Sequence, residues 1–469
     1  MRSLFLSLLL LFYTARGQAQ TTPVSLSYAD FIAAVAAHHP IAQQIRLLSN
    51  KATAELQRAK GAGFDPQLVS QWDTKQFSQS QYYSLFATYV KLPTWYGVEV
   101  EAGYLLNQGV YLDPENRTPV AGQAYLGVKV PLLQGLITNE RRTAVEQARL
   151  LQSANAQQIR ASLNDLLYQS VKTYWEWAAA YQEVQLWAQA ETLAIQRLSA
   201  TRISFQQGDK PGIDTLESLA NVLDRQIRLG QAQLALQQAE LNISNFLWSP
   251  QQSPLQIAPN TQPDPLPILA NFNSAQRDSL LGQINSQHPD LQTYAIKLQQ
   301  LSLEQKLKRN KILPKLDFKY NFLSYNHVDF FATGANAFAE NYKFGLKFSM
   351  PLLLRESRAD LQLTQLKIQE TNFQIQQKQI EVSNKIKIYF AEIATYGQQM
   401  AIIERNVANY ATLLEAEQQK FAIGESSVFL LNSREMKLIE VQQKRIEIQS
   451  KLAKAEASFI WAAAMLVNF

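Results

Sequence analysis

The chain has 469 residues, no cysteine and a formal net charge of +5. Its length allows two or three domains, and an apolar content of 46% excludes wholesale disorder. The missing cysteines exclude thiol catalysis, disulfides and thiolate metal sites. Because lysines and arginines are scattered among glutamates along the predicted helices, the mild basic excess indicates solvated helical faces rather than a nucleic-acid surface.

The first nineteen residues predict a secretory signal peptide. Arg2 is followed by an apolar run from Leu4 to Tyr13 and then by Gly17-Gln18-Ala19, which puts small residues at −3 and −1 of a cleavage site after Ala19. An apolar run of ten residues is too short to span a membrane as a helix. We therefore expect a signal peptide at 1–19 and an exported mature chain without a transmembrane helix.

The first half of the mature chain, residues 20–248, is predicted to follow the order helix, strands, long helix, turn, helix. Ser27 and Asp30 form a capping box, and the first helix pauses at His38-His39-Pro40. An apolar period of two marks the strands, and Gly208-Asp209-Lys210-Pro211-Gly212 marks the turn. The predicted helices are 25–60, 136–207 and 213–248, and the predicted strands fall within 67–133.

A Pro-rich linker, residues 249–273, precedes a second copy of the same plan in residues 274–469. The duplication is carried by three pairs of segments: His39-Pro40 with His288-Pro289, Val130-Pro131-Leu132-Leu133 with Met350-Pro351-Leu352-Leu353, and Phe205–Gly208 with Phe421–Gly424. The second copy has predicted helices at 274–312, 355–423 and 427–466, and predicted strands within 315–350. The linker is expected to run as an extended equatorial segment.

The two copies differ in the length of their strand regions. The paired prolines are 249 residues apart before the strands and 220 residues apart after them, so the first copy has about 29 additional residues. These include strand-like residues at about 82–106. They either lengthen an extracellular loop or add a hairpin, and the sequence leaves both open.

The long helix after the second strand region has two apolar stripes, each with a period of seven residues. The first stripe is Leu361, Ile368, Ile375, Val382 and Tyr389, and the second is Leu366, Phe373 and Ile380. At about 100° per residue the stripes lie about 160° apart, so this helix is expected to have a helical neighbour on each side. Such a helix suits the wall of a hollow cylinder, with a helix inside a solid bundle as the alternative.

The strands of the second copy alternate apolar and polar residues. From Leu316 to Phe322 and from Tyr342 to Met350, every second residue is aromatic or aliphatic. This pattern suits strands that cross an outer membrane, although a strand half-buried in a soluble sandwich shows the same alternation. Strands in lipid must close into a barrel, and one chain supplies fewer than the eight strands of the smallest usual barrel. The chain is therefore expected to share a barrel with copies of itself.

Together these features resemble the TolC family of outer membrane factors over essentially the whole mature chain. The resemblance rests on the duplicated order of elements, the Pro-Leu-Leu joints at Pro131 and Pro351, and the Phe-x-x-Gly turns that end at Gly208 and Gly424. It implies a mainly α fold with a small β part, in which a homotrimer forms an α-helical barrel joined to a transmembrane β-barrel of twelve shared strands.

The same resemblance implies a function and a set of partners. The protein would be a channel-tunnel in the bacterial outer membrane that extends into the periplasm. It would serve efflux or type I secretion, with cargo delivered by an inner-membrane pump through a periplasmic adaptor protein. The two turns would lie at the periplasmic mouth, which implies adaptor contact at Gly208, Gly212 and Gly424.

In the family, acidic residues just beyond the turns form a constriction, and by position the expected aperture here is Asp214 and Glu217, with Asp209 and Glu425 at the turns themselves. The second turn departs from the pattern, because Leu430 and Ser433 occupy the positions that correspond to the first two acids; the nearest acids are Glu425 and Glu435. Acids in the first turn of any helix are favoured by its dipole, so a role confined to helix stability stays open.

Two other classes of protein are weighed against a channel. An enzyme is disfavoured because His38, His39, His288 and His327 have no metal-ligand spacing and no paired base, so no catalytic residue, cofactor or metal is predicted. An exported coiled-coil scaffold or adhesin without a pore accounts for the heptads and the signal peptide, but not for the aromatic strands or the duplication. The five Met residues form no cluster that would suit a copper relay, and the choice among drug, metal and protein cargo stays open.

Overall fold

The computed structural model describes residues 25–258, 260–267, 274–324 and 341–466. The predicted signal peptide, His327 and the linker residues 268–273 lie outside these ranges. The fold is mainly helical with a small β part, as predicted. The described residues of Met1–His39, Gln169–Leu269 and Tyr396–Lys454 form one compact unit, and those of Pro40–Tyr168, Ala270–Thr395 and Ala455–Phe469 form another. Neither unit coincides with one copy of the duplicated plan, because both long helices contribute to both units.

The helices of the described residues are α1 (Tyr28–His38), α2 (Pro40–Phe64), α3 (Glu140–Gln206), α4 (Gly212–Ser244), α5 (Ser274–Gln287), α6 (Pro289–Asn310), α7 (Arg355–Ala422) and α8 (Val428–Ala462). Helices α3 and α7 have 67 and 68 residues, and at 1.5 Å per residue each is about 100 Å long. Among the described residues, no helix combines the length and the apolar character needed to cross a membrane.

The two His-Pro joints divide the helical segments at 25–60 and 274–312. Pro40 and Pro289 each begin a helix, where a residue without an N–H loses no helical hydrogen bond. His288 caps α6, because its Nδ1 accepts a hydrogen bond from the backbone N–H of Asp290 at 3.3 Å. His39 is buried against the ring of Phe246, with 5.7 Å between ring centroids. Burial lowers the pKa of both imidazoles, so both histidines have a structural explanation.

Helix α2 continues past its predicted end. It ends at Phe64, within the segment from Gly61 to Pro66 that was predicted to break it, and not at about Lys60. A Cβ at Gly63 would lie 3.3 Å from the Cβ of Arg141, so the glycine permits a close approach between α2 and α3. The chain leaves the helix only before Pro66, which disfavours the helical conformation of the residue that precedes it.

A six-stranded sheet has the order β2-β3-β4-β5-β7-β8, and all of its neighbouring strands are antiparallel. In chain order the strands of the described residues are β1 (Ser25–Leu26), β2 (Gln67–Phe77), β3 (Ser80–Pro93), β4 (Glu99–Gln108), β5 (Gln123–Pro131), β6 (Gln262–Pro263), β7 (Lys315–Leu323) and β8 (Tyr342–Ser349). The first copy supplies four strands to this sheet and the second supplies two. The strand-like residues at about 82–106 lie in β3 and β4, so they belong to a hairpin rather than to a longer loop.

An aromatic core in the first unit fixes part of the linker. The Tyr174 hydroxyl donates a hydrogen bond to the carbonyl of Leu26 at 2.8 Å and accepts one from the backbone N–H of Asp264 at 2.9 Å. The Tyr174 ring is fully buried and packs against Phe31 and Trp177. Strands β1 and β6 pair in parallel beside this tyrosine. The described part of the linker is therefore bound to α1 and α3.

The two apolar stripes of α7 have different environments in a single chain. Val382 of the first stripe is buried, and the other four members are half-buried. Leu366, Phe373 and Ile380 of the second stripe are exposed, with 69% of Phe373 accessible. Helix α4 has a comparable exposed row at Ile213, Leu216, Leu223, Ile227, Leu234 and Leu241. One stripe packs within the chain, and the remaining apolar surface is available to other helices.

Candidate functional site

One face of the six-stranded sheet, here called the aromatic face, is apolar across every strand. The register places Trp72 beside Phe86, Phe86 beside Leu106, and Leu126 beside Phe322, all on this face. Its further members are Leu68, Val90, Val100, Tyr104, Val128, Phe318, Tyr320, Phe344, Leu346 and Phe348. Trp72 and Phe344 are exposed at 70% and 59%. Large aromatic side chains therefore remain uncovered on both edge strands of the sheet.

The opposite face, here called the charged face, has ion pairs between neighbouring strands and one that reaches across β5, from Lys319 to Glu101. Lys91 pairs with Glu99 at 3.0 Å, Lys319 with Glu101 at 2.8 Å, and Lys129 with Asp317 at 3.4 Å. Arg141 at the start of α3 adds a second cation to Glu99 at 2.6 Å. The sheet thus has one charged face and one apolar face, and the apolar face is uncovered at its edge strands, whereas a soluble sandwich would bury it against a second sheet.

Both edges of the sheet have unpaired backbone groups. Within the described residues, β2 is hydrogen-bonded only to β3, and β8 only to β7. Neither edge strand has a proline in its interior, and β8 has an apolar or aromatic side chain at every second position. Long open edges of this kind pair readily with another strand.

The two glycine turns, Phe205–Gly208 and Phe421–Gly424, have the same backbone geometry. Gly208 and Gly424 adopt φ values of 84° and 82°, in the left-handed region that glycine occupies without strain. The N–H of Asp209 bonds to the carbonyl of Ser204, and the N–H of Glu425 bonds to the carbonyl of Lys420, each at 2.9 Å. Both turns are helix C-caps of the Schellman type, as the repeated Phe-x-x-Gly pattern indicates.

A buried polar cluster lies about two to five helical turns from the glycine turns and links three helices. Arg197 on α3 forms an ion pair with Glu435 on α8, which is 5% exposed, and donates a hydrogen bond to Asn432 Oδ1 at 2.9 Å. Asn432 in turn lies 3.4 Å from Glu217 Oε1 on α4. Arg225 on α4 is 1% exposed, and burial lowers the pKa of its guanidinium while Glu435 and Asp224 favour the charged form.

The four acids predicted for the aperture occupy two kinds of environment. Asp214 and Glu217 are half-buried in the first two turns of α4, one helical turn apart, whereas Asp209 and Glu425 are exposed at the turns. Glu435, an acid considered near the second turn, is instead held inside the protein by Arg197. The pattern along the chain did not reveal this pairing, because its partners are 238 residues apart.

The remaining predicted positions are structural joints. Pro131 ends β5, and Leu132 continues the ladder by donating to the Leu316 carbonyl at 2.7 Å. Pro351 follows β8 two residues after its end. Gly212 begins α4, where a Cβ would contact the ring of Phe205 at 3.4 Å. Among the residues that the structure describes, no group of three or more acidic or imidazole side chains is arranged to hold a metal.

Exposed apolar side chains surround the glycine turns and form what is here called the apolar collar. Its members are Ile203, Phe205, Ile213, Leu216, Ile423 and Phe429. Ile213 and Ile423 are 70% and 71% accessible. The ammonium group of Lys210 lies 4.4 Å from the centroid of the Phe421 ring, so the first turn contacts the second. The collar is apolar surface that neither turn covers in a single chain.

Solved outer membrane channels share this fold of two copies of long paired helices joined to one antiparallel sheet. The fold is similar to VceC of Vibrio cholerae (12% identity, TM-score 0.65, 93% of this chain and 95% of that chain). It is also similar to the open state of the MtrE channel of Neisseria gonorrhoeae (12%, 0.67, 93% and 88%) and to the CmeC channel of Campylobacter jejuni (13%, 0.64, 93% and 85%). At these identities the likeness establishes the fold alone.

Sequence comparison adds a match to one family over part of the chain. The model of the outer membrane efflux protein family matches residues 280–462, which is most of the second copy. No curated protein matches the chain by sequence. The resemblance to TolC-like outer membrane efflux proteins that the duplicated motifs indicated is confirmed by this match and by the fold.

Proposed function

We propose that the chain is the outer membrane channel-tunnel of a tripartite efflux or type I secretion system, acting as a homotrimer and as a passive exit duct. The observation that carries the proposal is the two-faced sheet with open edges. Its aromatic face suits contact with hydrocarbon, and its charged face suits a water-filled lumen. In lipid, each unpaired backbone group on β2 and β8 would cost several kcal/mol, roughly, so the edges must pair with further copies.

The helices support the same assembly. The second stripe of α7 and the exposed row on α4 leave large apolar side chains at coiled-coil spacing without a partner inside the chain. A soluble monomer would expose both surfaces to water, at a cost of about 25 cal/mol per Å². Packing between neighbouring copies would bury both, and three copies are the number that the family resemblance implies.

The apolar collar supports docking of a periplasmic adaptor at the glycine turns. A partner that covers Ile213 and Ile423 would bury side chains that are now more than two-thirds exposed. The turns themselves are rigid, since each is closed by a Schellman hydrogen bond. A rigid apolar rim is the type of surface that a helical partner binds with its own apolar face.

The acids Asp214 and Glu217 are proposed as an aperture ring. Three copies would place six carboxylates around one axis, which attracts cations and raises their local concentration. Replacing both acids with their amides, Asp214→Asn and Glu217→Gln, is expected to weaken the block of single-channel current by divalent cations by about tenfold, a loss of about 1.4 kcal/mol in binding. Glu404→Gln is the matched control, because this exposed acid of α7 lies well away from the glycine turns along its helix. An unchanged block in the double variant removes the aperture role.

The central test is the mass, shape and conductance of the protein extracted from outer membranes. A trimer with a hollow helical part in negative-stain images, together with single-channel current in planar bilayers, is the expected result. A monomeric species that needs no detergent would mean that the aromatic face does not contact lipid. The exported coiled-coil scaffold would then be the better description.

A further inference from the structure

The first copy of the plan adds a hairpin to the sheet that the second copy lacks. Each copy has one strand that leaves a helix and one strand that returns to a helix. In the second copy these are β7 and β8, with nothing else between α6 and α7 among the described residues. In the first copy the chain crosses the sheet four times between α2 and α3. The additional pair, β3 and β4, accounts for the 29 additional residues.

The additional strands are continuous with the rest of the sheet. Strand β2 pairs with β3 from Gln67 opposite Lys91 to Phe77 opposite Ser80, and β3 pairs with β4 from Ser84 opposite Gln108 to Pro93 opposite Glu99. The β2–β3 connection is a tight turn at Ser78 and Gln79. Both residues have positive φ values, 52° and 59°, as the primed turns of twisted hairpins require.

The turn between β3 and β4 is fixed on the helices. Trp95 in this turn stacks on Phe64 at the end of α2, with 5.3 Å between ring centroids. The guanidinium of Arg142 lies 5.3 Å from the centroid of the Trp95 ring. Gly97 has no space for a side chain, because a Cβ there would lie 2.7 Å from the carbonyl oxygen of Gly135. The hairpin is therefore anchored to α2 and α3 and is not a loop laid over the sheet.

The additional strands β3 and β4, together with the edge strand β2, also have the dimensions and the faces of membrane-crossing strands. Strands β2, β3 and β4 have 11, 14 and 10 residues, and about 9–11 residues suffice to cross a bilayer. Leu68 and Trp72 extend the aromatic face to the β2 edge, while Lys91 and Glu101 extend the charged face. A barrel closed between β4 and β8 would break the continuous β3–β4 pairing and would leave Lys91 of β3 outside the lumen, without its partner Glu99 of β4.

We infer that the assembled barrel has eighteen strands, six from each of three copies, with β2 of one chain paired to β8 of the next. This inference rests on the proposed trimer and replaces the twelve strands that the family resemblance implies. Strand β2 leaves the helices and β8 returns to them, so the seam is antiparallel like every other pair in the sheet. Because barrel diameter grows about linearly with strand number, the lumen is about 1.5 times as wide as that of a twelve-stranded barrel of equal tilt.

Cysteine cross-linking tests which strands meet at the seam. The chain has no cysteine of its own, so each introduced pair reports without background. One cysteine is placed at each charged-face position of β8, namely 343, 345, 347 and 349. The second is placed at each charged-face position of β2, namely 67, 69, 71, 73 and 75. Directly opposite residues of antiparallel strands have Cα atoms about 4.5–5.5 Å apart, which suits a disulfide.

The matched control pairs the same β8 positions with the charged-face positions of β4: 99, 101, 103, 105 and 107. In the eighteen-stranded barrel, at least one β2–β8 pair yields covalent dimers and trimers in oxidising gels, and no β4–β8 pair does. A twelve-stranded barrel gives the reverse pattern and overturns the inference. A trimeric mass without any β2–β8 link also overturns it. A monomeric mass without links in either set instead contradicts the proposed trimer.

Discussion

At the glycine turns the two copies of the plan are nearly identical, whereas in the sheet they differ by a whole hairpin. Gly208 and Gly424 agree within 2° in φ and close the same hydrogen bonds. A hairpin returns the chain to the end of the sheet from which it started. An additional pair of strands therefore changes the number of strands without moving the start of the following helix. A helix C-cap has no comparable freedom, since one residue more or less changes which residue must be left-handed.

The largest expected effect compares the aromatic face of the two edge strands, β2 of the first copy and β8 of the second. Trp72→Arg on β2 and Phe344→Arg on β8 are each expected to cost about 2–4 kcal/mol per chain in a bilayer, enough in three copies to abolish assembled trimer in outer membranes. The measurement is the amount of heat-modifiable trimer. Gln71→Arg and Lys343→Arg are the matched controls, because these neighbours lie on the charged face and are expected to assemble normally. Normal assembly of Trp72→Arg alone would mean that β2 lies outside the barrel.

The next effect concerns an ion pair near the glycine turns that the duplication does not repeat. The Arg197–Glu435 pair has no counterpart, since the positions related by the spacing of the two glycine turns are Leu413 and Leu219. Glu435→Ala leaves Arg197 buried without its carboxylate and is expected to destabilise the fold by about 3–5 kcal/mol. The measurement is the thermal unfolding midpoint in detergent. Glu425→Ala at the exposed turn is the control. The double variant Arg197→Met with Glu435→Leu is expected to recover most of the loss; no recovery would show that the charges act through further partners.

The accuracy of sequence reasoning also differed between the two ends of the plan. The glycine turns were readable because a left-handed cap leaves a local mark, Phe-x-x-Gly, in both copies. Strands β7 and β8 were readable because apolar and polar residues alternate strictly. Residues 82–106 were readable as strand-like but not as an added hairpin, because Tyr83, Leu85 and Tyr89 on the charged face of β3 are apolar or aromatic as well, which obscures the period of two. The Arg197–Glu435 pair depends on how α3 packs against α8, which no pattern within either helix encodes.

A smaller effect concerns a glutamate that is present at equivalent positions in both copies. Glu456 on α8 and Glu240 on α4 are related by the same spacing as the glycine turns. Burial raises the pKa of Glu456 to about 7 and also raises that of Glu240. A folded-state pKa above the unfolded value of 4.5 favours folding at low pH, and this contribution is lost as pH rises from 4.5 to about 7. Glu456→Gln is therefore expected to raise stability at pH 8 by about 1–3 kcal/mol and to change little at pH 4.5.

Thermal midpoints measured at the two pH values check this expectation, and Glu240→Gln gives the comparison between the copies. Its effect is expected to have the same sign and to be smaller, because Glu240 is more accessible to water. An equal gain at both pH values would point to packing rather than to the carboxylate charge. A larger gain for Glu240→Gln would mean that the two copies differ at this position more than their burial indicates.

The smallest effect returns to the glycine turns, where the two copies are expected to respond alike. A Cβ at Gly208 or Gly424 would have no neighbour within 4 Å, so Gly208→Ala and Gly424→Ala introduce no clash. Each pays only for a left-handed alanine, about 1 kcal/mol, and asparagine at either position should cost less because its side chain tolerates that conformation. Thermal midpoints of the isolated protein should fall equally for the two alanine variants. An unequal fall would mean that contacts beyond its own backbone stabilise one of the turns. The contact to remove next is then that of Lys210 with the Phe421 ring, through which the first turn contacts the second.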